Sequence, residues 1–249
     1  MTSIEGSVAL VTGGSRGIGR ALVDALYERG ARKVYATARD PRTVAHPDAV
    51  PLALEVTDPA SVAAAAAQAQ DVTLLINNAG ATAPTSFLNS PVEDVRREFD
   101  INFFGPLLTT RAFVPVLERN GGGHILTVHS VLSWVTVPGA DGYSAAKAAL
   151  WSQSNALRLE LQPRGIRVTG LHVGYVDTDL TASLDVPKVT AHSVAGQALD
   201  GIETNAHEVL ADALTRQVKA GLSGELGDLY PQLAAGRWPA TDFAPENAL

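Results

Sequence analysis

The sequence predicts an α/β protein: one domain built on a doubly wound parallel sheet of six to seven strands, with helices on both faces. Three observations predict it. Short β-branched runs alternate with longer helix-like stretches, and each run is nearly continuous in apolar residues, as a strand covered on both faces requires. The chain has 249 residues, 46% of them hydrophobic, which suits one large core better than two.

The elements follow in order. "SVALVTG" at 7–13 is the first strand and leads through a glycine-rich turn into an amphipathic stretch at 17–29. "RKVYATA" at 32–38 and "AVPLAL" at 49–54 are the next two strands. Asp58-Pro59 then opens a helix at 59–70, where the run "SVAAAAAQAQ" reflects the helix propensity of alanine. "VTLLINN" at 72–78, "GHILTVHS" at 123–130 and "IRVTGLHVG" at 166–174 are strands four to six, separated by helical patterns at 91–119 and 143–162. A last helical pattern spans 194–220, and no seventh strand emerges from "AHEVLADALTRQVKAGLSGELGDLYPQLAAGRW". Residues 237–249 lose periodicity and gain proline, so the domain is placed at 1–236 with a tail after it.

Composition narrows the function. A formal net charge of -7 with 18% charged residues leaves no broad basic face for nucleic acid or anionic lipid, so the expected partner is a small molecule. The absence of cysteine excludes disulfides, thiolate catalysis and cysteine-ligated zinc. The six histidines are scattered, and no metal site is predicted. The first residues have no basic segment followed by a long apolar core, and no apolar run is long enough to span a bilayer, so the expected compartment is the cytoplasm.

"TGGSRGIGRAL" sets Gly13, Gly17 and Gly19 between a strand and a helix, with Ser15, Arg16 and Ile18 among them. Glycines there let the backbone approach a pyrophosphate at the positive end of the helix dipole. The second strand ends "YATARD". NAD-binding proteins usually place an acid at this point for the ribose 2′-hydroxyl. Neutral Ala38 stands there instead, and Arg39 follows with paired donors suited to a 2′-phosphate, as Arg16 also is. The cofactor read from these residues is NADP(H).

In "GYSAAKAAL", Tyr143 and Lys147 lie four residues apart and share a helix face, and Ser130 ends the preceding strand. A free phenol titrates near about 10. Lys147 and an oxidised nicotinamide both favour phenolate, so the Tyr143 pKa is expected to fall, suiting it to protonate a developing alkoxide.

Taken together, "TGGSRGIG", "NNAG" at 77–80, "INFFG" at 101–105, Ser130 and the Tyr143 and Lys147 pair resemble the single-domain short-chain dehydrogenase/reductase family, with its Rossmann-like fold, over nearly the whole chain. The resemblance implies a tetrad. In it Tyr143 is the acid/base, Ser130 binds the substrate oxygen, Lys147 holds the nicotinamide ribose and lowers the tyrosine pKa, and Asn102 organises a water that relays protons to Lys147. It also places Asn78, Ala79 and Gly80 against the adenosine side of the cofactor, and Val176 and Thr178 against the carboxamide. Three departures from the family pattern stand out. Val173-Gly174 replaces Pro-Gly; Glu55 precedes Val56 where an adenine-contacting aspartate is usual; and the glycine-bounded last strand of tetrameric relatives is not evident. A homodimer through the helices near 91–119 and 143–162 is therefore preferred to a homotetramer.

Around the substrate carbonyl the sequence places Leu132, Trp134, Tyr175, Leu180, Leu184 and Val186, an apolar set that fits medium-sized hydrophobic ketones or aldehydes. "TASLDVPKVTAHS" at 181–193 reads as a mobile lid. The leading reading is an NADPH-dependent carbonyl reductase (ketoreductase). The alternatives are an NAD-dependent alcohol dehydrogenase and a non-catalytic NADP(H)-sensing regulator.

Overall fold

Apolar strands that lack a polar face need cover on both sides, and the chain supplies it by alternating strand and helix. A computed structural model of the protein describes residues 2–231, and the tail expected at 237–249 lies outside them. In chain order the elements are β1 (Val8–Val11), α1 (Gly17–Glu28), β2 (Lys33–Ala38), β3 (Val50–Ala53), α2 (Pro59–Gln68), β4 (Leu74–Asn77) and α3 (Val92–Phe99). They continue with α4 (Gly105–Arg119), β5 (Gly123–Val128), α5 (Asp141–Leu161), β6 (Ile166–His172), β7 (Val176–Asp177) and β8 (Val189–Thr190). The last are α6 (Ala191–Thr204), β9 (Glu208–Leu210), α7 (Ala213–Gly221) and α8 (Leu226–Leu229).

Seven strands form one sheet in the order β3-β2-β1-β4-β5-β6-β9, with every neighbouring pair parallel. The order reverses between β1 and β4, and the carboxyl ends of those strands frame the crevice where such sheets bind ligands. One face carries a core of Leu22, Leu26, Val194, Leu199 and Ile202 from α1 and α6. The other is filled by Val62, Phe113, Leu117 and Leu161 from α2, α4 and α5. No helix among the described residues is long and apolar enough to cross a membrane.

The structure corrects the pattern read at 194–220. Helix α6 stops at Asn205, which adopts the left-handed conformation with φ 54°, and β9 then adds to the sheet edge beside β6. A Cβ on Gly201 would lie 2.2 Å from Val209 Cγ2, so the strand docks on the helix through a glycine. Asp212 caps the next helix, accepting from Thr215 N at 2.8 Å. The segment expected as a lid is also partly ordered: β8 pairs with β7, and α6 begins at Ala191, with Thr190 as its cap.

Between α3 and α4 the helix does not break but widens into a π segment, Asp100–Phe104. Single π turns inside α-helices often mark functional sites. Here the widened turn carries Asn102, which is fully buried.

Candidate active site

At the end of β1 the chain turns through Gly13 and Gly17, with φ of 66° and 55°, values that disfavour side chains. Arg16, the N-cap of α1, makes no side-chain cap bond, and the first turn of α1 has no acidic residue. Its opening N–H groups are thus left to an outside anion. A Cβ on Gly19 would sit 2.0 Å from Gly13 O, so only glycine permits the loop to fold this closely onto the helix. Ser15 and Ile18 lie along the same turn, half-buried. A backbone cradle closed to any side chain, with free helix N–H groups, fits a dinucleotide pyrophosphate.

Thr12, which the sequence analysis did not single out, ties this loop to the "NNAG" turn. Its hydroxyl accepts from Asn78 N at 2.9 Å and Ala79 N at 2.8 Å. The Asn78 amide in turn donates to Thr12 O at 2.8 Å and Gly13 O at 3.2 Å. Asn78 therefore braces the loop with its own side chain. Next to it Ala38 ends β2, and Arg39 is exposed. Asp40 is committed to Arg42 through bonds of 2.9 Å from both Nε and Nη2, so it does not neutralise Arg39. Arg16 lies 3.8 Å from Asp179, with both side chains largely in water. Glu55 accepts from Thr57 N and Oγ1, while Val56 is buried against the start of α4 at Gly105.

The other half of the site gathers at the ends of β5 and α5. Ser130 is buried, and its Oγ accepts from Leu132 N at 3.1 Å while facing the Tyr143 hydroxyl. Lys147, 4% exposed, donates to Val128 O at 2.9 Å and holds its ammonium 5.6 Å from the centre of the Tyr143 ring. Asn102 donates from Nδ2 to Ala81 O at 2.8 Å and to Glu98 Oε2 at 2.9 Å, whereas its buried Oδ1 has no partner. The four residues of the expected tetrad are brought together.

The expected direction of the Tyr143 shift is corrected. Burial of the phenol pushes its pKa up to about 12, with the Glu98 charge adding to the rise and only Ser130 opposing it. Burial also pulls the Lys147 ammonium down to about 8, against a raising contribution from Glu98. Desolvation and the Glu98 charge set the Tyr143 direction, and neither shows in the spacing of Tyr143 and Lys147. Tyr143 accordingly stands as a neutral phenol at neutral pH, able to donate. Glu98 is 4% exposed; its own pKa is raised by burial, and it accepts from Ala83 N at 2.7 Å.

The turn after β6 is fixed without proline. Asp212 accepts from Gly174 N at 2.6 Å while also receiving Thr215 N and Oγ1, each at 2.8 Å. Asp212→Ala is expected to cost about 2 kcal/mol, from a lost helix cap and an unpaired N–H, read as a lower urea midpoint. Val176 is buried in β7, and the methyl of Thr178 would lie 3.3 Å from a Cβ on Gly17, which sets this turn over the glycine loop. Leu132, Tyr175 and Leu184 are half-buried, and Leu180 is exposed.

Trp134 is the residue the structure moves out of the expected pocket. Its ring stacks on His172 with centroids 4.1 Å apart and meets Trp151 edge-on, with the Lys219 ammonium 4.6 Å above it. Glu208 completes this cluster by accepting from Trp151 Nε1 and Lys219 Nζ, each at 2.7 Å. The indole face is thereby occupied by the protein itself.

Comparison with known proteins agrees with this geometry. The family model described as short chain dehydrogenase matches residues 7–188. The chain is 33% identical over 191 residues to the 3-oxoacyl-(acyl-carrier-protein) reductase FabG of Escherichia coli K12, covering 73% of this chain and 78% of that protein. A crystal structure of a short chain dehydrogenase from Burkholderia cenocepacia J2315 in complex with NADP superposes with a TM-score of 0.88 at 38% identity, over 93% of this chain and 99% of that one. A 3-ketoacyl-(acyl-carrier-protein) reductase from Brucella melitensis, complexed with NADH, superposes with a TM-score of 0.75 at 27% identity, over 82% and 94%. The chain belongs to the short-chain dehydrogenase/reductase family of oxidoreductases.

Proposed function

We propose that the protein is an NADPH-dependent carbonyl reductase acting on medium-sized hydrophobic ketones or aldehydes, and the placement of Tyr143 beside Ser130 with the Lys147 ammonium 5.6 Å from its ring is the observation that carries this reading. The cofactor supplies the hydride. Tyr143 donates its proton to the oxygen of the carbonyl as negative charge develops there. Ser130 donates a hydrogen bond to the same oxygen and holds it against the phenol. Lys147 binds the nicotinamide ribose and replaces the proton on Tyr143, and the free Oδ1 of Asn102 is placed to hold a water that feeds Lys147. Gly13, Ser15, Gly17, Ile18 and Gly19 cradle the pyrophosphate; Glu55, Val56, Ala79 and Gly80 flank the adenosine half, and Val176 and Thr178 the carboxamide.

NADPH is preferred to NADH in this reading because Ala38 is uncharged and Arg39 keeps its guanidinium out of ion pairs among the described residues. Leu132, Tyr175, Leu180 and Leu184 supply apolar surface without a cation, which favours neutral substrates. Two copies would pair through the helices over 91–119 and 143–162, where Phe104 of the π segment is 45% and Leu159 of α5 77% exposed. The compartment this reading assigns is the cytoplasm.

The test follows NADPH absorbance, with NADH in parallel, against a panel of hydrophobic ketones and aldehydes. Turnover with NADPH preferred supports the reading. Tight NADPH binding with no turnover on any carbonyl favours the sensor. Arg39→Ala should weaken NADPH binding about 10- to 100-fold, the worth of a charge-assisted phosphate contact, and leave NADH binding unchanged. Equal losses for both cofactors would remove Arg39 from the 2′-phosphate.

A further inference from the structure

We propose that Glu98 is a positioning residue for this reaction, whose carboxylate fixes the Asn102 amide with Oδ1 toward Lys147 and supplies the negative charge facing the Lys147 ammonium. The inference rests on the carbonyl-reductase reading above. Helix α3 is otherwise a charged surface helix; Glu93, for example, pairs with Arg96 in solvent, while Glu98 is turned inward and buried. A buried carboxylate is costly unless it is paired and hydrogen-bonded. Both of its oxygens are engaged: Oε1 accepts Ala83 N–H at 2.7 Å and Oε2 accepts the Asn102 amide at 2.9 Å.

That arrangement decides which way the Asn102 amide points. Its Nδ2 faces three oxygens, those of Glu98 Oε2, the Glu98 carbonyl at 3.0 Å and the Ala81 carbonyl at 2.8 Å. Flipping the amide would set Oδ1 against all three. Oδ1 is thus forced to the opposite side, where it and Lys147 Nζ reach the same space over Gly80, 3.1 and 3.9 Å from a Cβ built there. A glutamine at 98 could not keep this geometry. It has one acceptor for two N–H donors, and its own NH2 would meet one of them.

The charge acts on the same two groups. Its field favours the protonated forms of both Lys147 and Tyr143, so removing it lowers both pKa values. The other titratable group facing Lys147 is His129, just past the end of β5, whose burial keeps the imidazole neutral. From the π segment comes only the uncharged Asn102, Asp100 being exposed.

The experiment compares Glu98→Gln with Glu98→Asp, which keeps the charge but is a methylene shorter. The chain has four lysines, Lys33, Lys147, Lys188 and Lys219, so the Lys147 titration can be followed by NMR of 13Cε-lysine in the protein without cofactor, and assigned with Lys147→Arg. In Glu98→Gln the Lys147 midpoint should move to lower pH, and kcat should fall at least about tenfold with NADPH affinity unchanged. In Glu98→Asp the midpoint should stay while kcat falls. An unmoved midpoint in Glu98→Gln overturns the proposal, as does wild-type kcat in either variant or an equal displacement in both. If Glu98→Gln does not fold, Glu98→Asp decides alone: wild-type kcat or a displaced Lys147 midpoint overturns the proposal. Absence of turnover in the wild type would refute the reductase reading instead, and the midpoint would still decide the role of Glu98.

Discussion

Tyr143→Phe is expected to lower kcat for carbonyl reduction about 1,000-fold, within the range that a positioned general acid contributes, while the NADPH dissociation constant changes less than about twofold. The substitution removes one oxygen. The ring keeps its place beside the Lys147 ammonium, 5.6 Å away, and Lys147 keeps its bond to Val128 O, so cofactor contacts through the lysine are untouched. What disappears is the proton, and with it the group that Ser130 faces. Stability should change little, because Tyr143 is half-buried and its hydroxyl faces only Ser130. Single-turnover absorbance of bound NADPH separates the two outcomes. Loss of hydride transfer with intact binding places Tyr143 in the chemistry; near-normal transfer would show that another group, or solvent, protonates the alkoxide.

The pH dependence follows from the same two groups. With the phenol at about 12 and the ammonium at about 8, Lys147 is the group that changes state first as pH rises from neutrality. Reduction is therefore expected to be flat below about 7 and to fall through about 8, as the lysine loses the proton it passes to Tyr143. A profile flat to pH 10 would remove Lys147 from the proton path.

The parts of the site that local rules govern were legible in the sequence. Tyr143 and Lys147 meet because four residues make about one helical turn, and Gly13, Gly17 and Gly19 announce a tight strand-to-helix turn by residue type alone. Glu98 was hidden by its neighbours. "VEDVRREFD" reads as a solvated face, and which of its acids turns inward depends on α5 arriving from a distant part of the chain. Its i,i+4 relation to Asn102 was the available signal. Strand β9 was hidden by brevity: three half-buried residues give no alternation to detect, although Asn205 and Asp212 punctuate it on either side as helix stop and helix cap. Trp134 sits two residues from Leu132 in the chain, yet it is held by His172 and Lys219, and no pattern within its own loop records that competition.

Gly19→Ala should abolish dinucleotide binding, weakening NADPH at least about 100-fold, and destabilise the fold by about 3 kcal/mol through overpacking. The reason is steric rather than conformational. Gly19 lies in α1, where alanine is intrinsically favoured over glycine by about 1 kcal/mol, so propensity alone predicts a gain. Against that, the new methyl would fall 2.0 Å from Gly13 O, 2.8 Å from Gly13 C and 2.5 Å from Asn78 Nδ2. Two of these atoms are backbone, and the third is fixed by its bonds to Thr12 O and Gly13 O. Relief requires the loop to lift off the helix, which spoils the cradle and breaks the Thr12 and Asn78 brace together. Gly6→Ala is the contrasting control: Gly6 carries a positive φ, 73°, which Gly19 does not, but nothing lies within 4 Å of its Cβ. That variant should lose about 1 kcal/mol by denaturant titration and bind NADPH normally. Normal binding in Gly19→Ala as well would mean that the loop yields without loss of function, and that the pyrophosphate is held elsewhere.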